Sequence, residues 1–373
     1  MAQTAQPHHD IEKDINDQSR GDLAAIGRFE QHPSTAYRSS VSAFAGRLGG
    51  NGTAVIDRND PQNADILKDC PDAAPWMSLK EQFDLRPFKY PGLWKAAVME
   101  GMGMIQFLYE VEVLIFHTIP VLRTLQLPIS FIIEVNYTLG TLMVVYITIW
   151  ANASPNVIPA QPTAQLGPFD NAAFIGPLVG GLINFMVLTL FTFGFGAVTG
   201  AHLNPAITIA TFFARLCSLP RLVLYLASQV IGAALAGLLI RASLGSRDFK
   251  VGGCWLFTDV VPVGDAFVLE FVFCTTLLFF AFGVGLDPRQ RQTVGPTLAP
   301  FLVGFSLSVL SFGSGFTRYG LGGASMNPAR CFGTFVGSRF PGYHWIHWIA
   351  DIAAGMVHGF FYAFCPPWEK TSP

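Results

Sequence analysis

Apolar residues in this chain gather into long unbroken runs instead of alternating with polar ones. Beyond a polar opening stretch, the runs lie near 94–118, 128–151, 174–197, 221–243, 265–286, 297–313 and 345–366. Each is long enough to cross about 30 Å of hydrocarbon and predicts a membrane-spanning helix. Two shorter apolar stretches, near 204–215 and 327–336, open on the same tripeptide, Asn204-Pro205-Ala206 and Asn327-Pro328-Ala329. Pro suits the first helical position, where an N–H would have no partner, and Asn is a good cap just before it. A helix that starts inside a membrane is tolerated only where protein or a watery cavity surrounds its start. The repeated signal therefore predicts two copies of one unit, each dipping a half-length helix into the membrane and meeting the other at a shared pore.

The connections are marked by Asn152-Ala153-Ser154-Pro155, by 247–254 and by 286–291. Arg215, Arg221, Arg289 and Arg291, with Arg86, Lys89 and Lys95, fall on one side, which the positive-inside rule makes cytoplasmic. Copies that enter from opposite sides need an odd number of spans each, so three per half makes six and one of the seven runs is surplus. The candidates are 94–118, with Glu100, Glu110 and Glu112, and 128–151, with Glu134. The first repeat covers about 94–243 and the second about 265–366.

Composition agrees with a membrane protein. Charged residues make up 13% of the chain, against about 25% in soluble domains, and mean hydropathy is +0.41. Nearly half of the charges lie in 1–90, a polar stretch without periodicity that reads as a disordered cytosolic tail. It has no basic-then-apolar leader pattern. A channel domain over 91–367 and a short tail over 368–373 follow. The net charge of −2 argues against nucleic-acid binding. The six cysteines show no metal-ligand spacing, and no phosphate loop or nucleophile–base pair is visible, so neither a metal, a cofactor nor an enzyme activity is expected. Gly194-x-Gly196-x-x-x-Gly200 follows a membrane helix and reads as close packing, not as a dinucleotide loop.

Two Asn-Pro-Ala boxes, the first preceded by Gly200-Ala201-His202-Leu203 and the second followed by Arg330, resemble the aquaporin (major intrinsic protein) family over about 93–366. Glu270 and Gln229 match as well. Asn327-Pro328-Ala329-Arg330-Cys331 and Gly252-Gly253-Cys254 are similar to the X intrinsic subgroup. The resemblance implies an all-α integral membrane fold, a right-handed bundle of six spans plus two re-entrant half-helices arranged as an inverted repeat. It implies a homotetramer in the lipid bilayer, one pore per subunit, and passive passage of water and small uncharged polar solutes such as glycerol, urea and hydrogen peroxide. Both termini are expected in the cytoplasm and the membrane to be the plasma membrane.

Residue by residue, the resemblance places Asn204 and Asn327 at the pore centre, with His202, Leu203, Ser325 and Met326 along its wall. Arg330 belongs to the outer filter; spacing carries Asn184, Ser311 and Ala324 to its other positions, a ring without a bulky aromatic. Trp345 and Trp348 point the other way, towards a water-selective channel. Glu100 (or Glu134) and Glu270 are expected to hold the loops that carry the boxes. Cys254 and Cys331 are expected near the outer mouth, close enough for a disulfide or redox switch. His202 is read either as a titrating gate or as a neutral, hydrogen-bonded histidine. The family's first-helix pattern begins at Glu100-Gly101-Met102-Gly103, breaks, and resumes at Thr141, so 104–140 reads as an insertion, such as a retained intron. Otherwise 128–151, with Glu134, is the first span and 94–118 lies at the membrane surface. Asn152-Ala153-Ser154 is a candidate glycosylation acceptor weakened by Pro155.

Overall fold

The computed structural model describes residues 44–49, 56–102, 142, 145, 146, 148, 149, 175–290, 294–315 and 318–364, all within the unit Ser42–Pro373. Glu134, the segment 104–140, the glycosylation candidate at Asn152, residues 1–43 of the tail and the segment 368–373 lie outside the described residues.

The helices are α1 (Ala64–Asp69), α2 (Leu79–Gln82), α3 (Pro91–Met102), α4 (Ile175–Gly196), α5 (Pro205–Phe213), α6 (Leu219–Leu244), α7 (Val263–Ala281), α8 (Gly295–Ser314), α9 (Pro328–Gly337) and α10 (Ile346–Phe364). A π turn, Phe282–Leu286, extends α7. Among the described residues, four helical stretches, Gly176–Gly196, Leu219–Leu244, Val263–Leu286 and Thr297–Ser314, are long and apolar enough to cross a membrane. Their outward positions are large and apolar: Leu178, Leu182, Met186 and Leu190 form one stripe on α4, and Phe301, Phe305 and Val309 one on α8. Exposed stripes of this kind suit contact with lipid tails.

The half-length helices α5 and α9 each pack on the last helix of the other half. On α10, a Cβ at Gly355 would lie 2.9 Å from the Ala206 carbonyl, and one at Gly359 would lie 2.5 Å from that of Ala210. Gly237 on α6 and Gly333 on α9 likewise approach backbone to backbone, leaving no room for a side chain. Close approach through small residues is the packing that membranes favour, where burial against lipid gains little.

The first span is described in two pieces. In α3, Leu93, Ala96 and Ala97 pack on Leu224 and Tyr225 of α6. Further along, Leu142, Val145 and Ile149, helical and buried, pack on Ala233, Ala236 and Ile240. At the junction both pieces reach the same point, because a Cβ at Gly232 would lie 2.5 Å from the Gly101 carbonyl oxygen and 3.3 Å from the Leu142 nitrogen. The two pieces climb α6 in the same direction as one column.

One expectation needs correction. The polar stretch through residue 90 is not structureless where it is described. Residues 44–49 and 56–90 fold into short helices and turns against one end of the bundle, called here the tail face. The physical reason is specific polar pairing joined to a few buried apolar anchors, Phe44, Leu48, Ala74 and Met77 among them. The Asp72 carboxylate takes hydrogen bonds from Arg221 Nε (2.7 Å) and Nη2 (3.0 Å) and from Ser218 Oγ (2.7 Å). Gln82 Nε2 donates to the Phe212 carbonyl at 2.6 Å, and Arg215 donates to that of Met77. Composition signals low apolar content, but it does not register a few polar contacts anchored on helix ends. Arg289 also reaches this face, its guanidinium 5.2 Å from the Trp76 ring centre.

Candidate functional site

Pro205 and Pro328 stand at the first positions of α5 and α9, and Asn204 and Asn327 cap them. The Asn204 side-chain oxygen accepts from the Ala206 N–H at 2.9 Å, and that of Asn327 from the Arg330 N–H at 3.3 Å. Each amide nitrogen then reaches across. Asn204 Nδ2 donates to the Met326 carbonyl at 2.7 Å and Asn327 Nδ2 to the Leu203 carbonyl at 3.1 Å. The two helix N-termini are thereby tied together at mid-bundle. A primary amide has two donors, so each asparagine keeps one N–H beyond this brace.

The residues before the caps are held in an unusual backbone. Leu203 (φ 50) and Met326 (φ 57) are left-handed, a conformation that costs a non-glycine residue about 1–3 kcal/mol and persists only where its surroundings impose it. Two buried carboxylates supply the restraint. Glu100 accepts from the Leu203 N–H and, at 3.1 Å, from Gln229 Nε2. Glu270 accepts from the Met326 N–H at 2.7 Å and from the Ser325 N–H at 3.0 Å. Leu203 and Met326 each give their N–H to a carboxylate and their C=O to the opposite asparagine, so the two halves have the same wiring.

A narrow cavity of about 40 Å³ runs past this junction. Its polar wall is Thr148, Asn184, His202, Asn204, Ser325, Asn327 and Arg330. Leu188, Leu203, Ile207, Leu277, Val303 and Leu307 form the apolar wall, and among the described residues the lining includes no Phe, Tyr or Trp. By the measure in which one water needs about 10–15 Å³, there is room for about three in file. Arg330 is buried and points a guanidinium into this space; its Nη1 lies 3.6 Å from Cys254 Sγ. Gly253 (φ +84) makes that fit, since a Cβ there would sit 2.9 Å from Nη1. Cys254 and Cys331 form a disulfide, with Cα atoms 5.3 Å apart, directly behind the arginine.

Of the four filter positions taken from spacing, Asn184 and Arg330 face the cavity. Ser311 stands behind Asn184 and accepts its Nδ2 at 2.9 Å, while Ala324 gives its N–H to Ser314. Both histidine nitrogens of His202 are engaged, Nδ1 with Thr208 Oγ1 at 3.1 Å and Nε2 with the Gly46 carbonyl at 2.6 Å. Trp345 and Trp348 stay off the cavity wall. The sequence did not single out Thr148 or Thr208, which are ordinary helix residues until their neighbours are placed. It also missed His347, whose Nδ1 lies 3.5 Å from Glu270 Oε1.

Two half-helices joined at their positive ends, flanked by asparagine amides and an arginine, define a transmembrane channel. Comparison with known proteins agrees. Residues 130–362 match the model of the family described as major intrinsic protein. Aquaporin-B of Dictyostelium discoideum is 30% identical over 215 residues, 50% of this chain and 71% of its own. Aquaporin TIP4-2 of Zea mays is 36% identical over 174 residues (46% and 63%), and Aquaporin-8 of Rattus norvegicus 31% over 209 (55% and 76%). A solved aquaglyceroporin from Plasmodium falciparum, 19% identical, covers 60% of this chain and 93% of its own at a TM-score of 0.43, too low to add to the fold reading. The chain belongs to the major intrinsic protein family: an all-α, multi-pass integral membrane channel, not an enzyme.

Proposed function

We propose that the protein conducts water and small uncharged polar solutes passively through the cavity at the asparagine junction and excludes ions and protons. The observation that carries this reading is the reciprocal brace between Asn204 and Asn327. It presents two helix N-termini, each worth about half a positive charge, to the same few ångströms of lumen. A cation meets repulsion there and loses hydration it cannot replace, whereas a neutral oxygen exchanges water for the free amide N–H groups. Arg330 and Asn184 act as the selecting pair at the disulfide end, and the missing aromatic suits glycerol, urea or hydrogen peroxide beside water. The narrow lumen favours a second reading, a strict water channel. The motif ending in Cys331 supports the X intrinsic subgroup.

The tail face is the cytoplasmic one in this reading, supported by Arg215, Arg221 and Arg289, which all meet the 72–77 segment there. The described lumen wall comes from one chain, which supports one pore per subunit of a homotetramer; the membrane in this reading is the plasma membrane.

Stopped-flow light scattering on vesicles carrying the purified full chain tests the reading with water, glycerol and urea gradients side by side. Water flux above that of empty vesicles is expected from the full chain or, where its mouth is closed, from the mouth variants described next, with glycerol and urea passing more slowly. Water without the solutes leaves the strict water channel. A non-conducting membrane sensor or scaffold of this fold is left if neither the full chain nor the mouth variants described next pass anything.

A further inference from the structure

At the tail face, the chain's own residues 44–49 pack beside the end of the cavity wall. Leu48 is 0% exposed and packs in the same cluster as the cavity-wall residues Leu188, Leu203 and Leu277. The Leu48 and Gly49 amides both donate to the Gly200 carbonyl, at 2.8 and 3.4 Å. That carbonyl lies on the approach to the first asparagine box, where a permeating solute needs an acceptor. Gly46 offers its own carbonyl to His202 Nε2 at 2.6 Å, and His202 lines the cavity.

The segment also spans the opening from one half of the molecule to the other. On one side, a Cβ at Gly49 would lie 2.6 Å from the Thr192 carbonyl oxygen on α4. Opposite, a Cβ at Gly285 in the π turn after α7 would lie 2.8 Å from the Leu48 carbonyl oxygen. α4 belongs to the first repeat and the π turn to the second, and the lumen runs between them, so a peptide wedged against both crosses the entrance. It is anchored on either side. Arg47 Nη1 donates to the carbonyls of Gly196 (3.0 Å) and Ala197 (2.6 Å) at the end of α4, where a cation is favoured. The Ala45 N–H donates to the Asp72 carbonyl at 2.7 Å, and the Arg221 guanidinium stacks 4.0 Å over the Phe44 ring.

We propose that residues 44–49 are a plug that docks in the tail-face mouth and closes the channel, with Leu48 as the stopper and Arg47 and Phe44 as its anchors. The inference rests on the channel reading and adds that the full chain is held shut. It concerns a contact within one chain and requires no ligand or partner.

The test uses vesicles with matched amounts of three proteins: the full chain, Leu48→Gly, and a chain shortened by residues 1–49. Size-exclusion elution and circular dichroism matching the full chain establish that each variant is folded. Leu48→Gly removes only the stopper and keeps every backbone contact, so it remains informative if the shortened chain misfolds. Water permeability per protein is expected to rise at least five-fold in both variants. Equal permeability in the full chain and folded Leu48→Gly overturns the plug and leaves the channel standing. Flux at the empty-vesicle level in all three overturns both, because no closure then hides a conducting pore.

Discussion

Asp72 is a charged group placed out of reach of water, 1% exposed beneath the tail segment. Burial alone raises its pKa. The Arg221 charge, with hydrogen bonds from Arg221 and Ser218, outweighs burial and holds the carboxyl below its ordinary range. A lowered folded pKa contributes stability that is complete above the unfolded value of about 3.9 and is lost as pH falls through the folded value beneath it. The tail segment is therefore expected to stay docked from neutral pH to about pH 4 and to release only in stronger acid, read by limited proteolysis of residues 56–90 across that range. Asp72→Ala leaves Arg221 buried without its partner. It should cost about 3–5 kcal/mol, seen as proteolysis of the tail at neutral pH while the helical content of the bundle is kept. Neither residue was legible as a pair. Asp72 is one acid among many in a polar stretch, and Arg221 reads as an ordinary flanking charge at the start of a span. The asparagines, in contrast, announced themselves, because a capped helix start inside apolar sequence has few other uses.

Elements were easier to read than residues wherever hydrocarbon sets the length. The runs near 174–197, 221–243 and 297–313 became Ile175–Gly196, Leu219–Leu244 and Gly295–Ser314. The first span was harder, because its hydrophobicity continues into 104–140 and periodicity cannot say which apolar turn touches α6. The bond from the Leu203 N–H puts Glu100 beside the first box, while Glu134 lies outside the described residues. If 104–140 is removed, Leu142 becomes the fourth residue after Gly101. That is the spacing at which an α-helix pairs C=O with N–H, and it fits two atoms already gathered at one glycine. A chain lacking 104–140 is therefore expected to insert and elute like the full chain, with a thermal midpoint equal or higher. Loss of the folded species would show the segment to be part of the bundle. The ordered tail could not be read from pattern, since its short helices carry no periodic apolar stripe and it is held by scattered apolar anchors and polar contacts with helix ends.

For the molecule as a whole, the disulfide joins the loop before α7 to the half-helix α9 across 77 residues of chain and stands behind Arg330. Cys331→Ser should lower stability by about 2–4 kcal/mol. Reductant should shift the thermal midpoint of the unaltered protein downward and leave that of the variant unmoved, which differential scanning fluorimetry in detergent can read. The exchange of half-helices between the two repeats has a consequence for how the protein is made. The wall that receives α5 is α10, the final helix of the bundle, and it reaches the membrane long after α5 does. Until the ribosome has delivered that last segment, the first half-helix has a polar tip inside the bilayer and only α6 and the tail beside it, with the α10 side of its socket missing. A nascent chain stalled short of residue 346 thus holds its earliest asparagine box in the least settled part of the structure, and it is there that a membrane quality-control protease would find its first purchase.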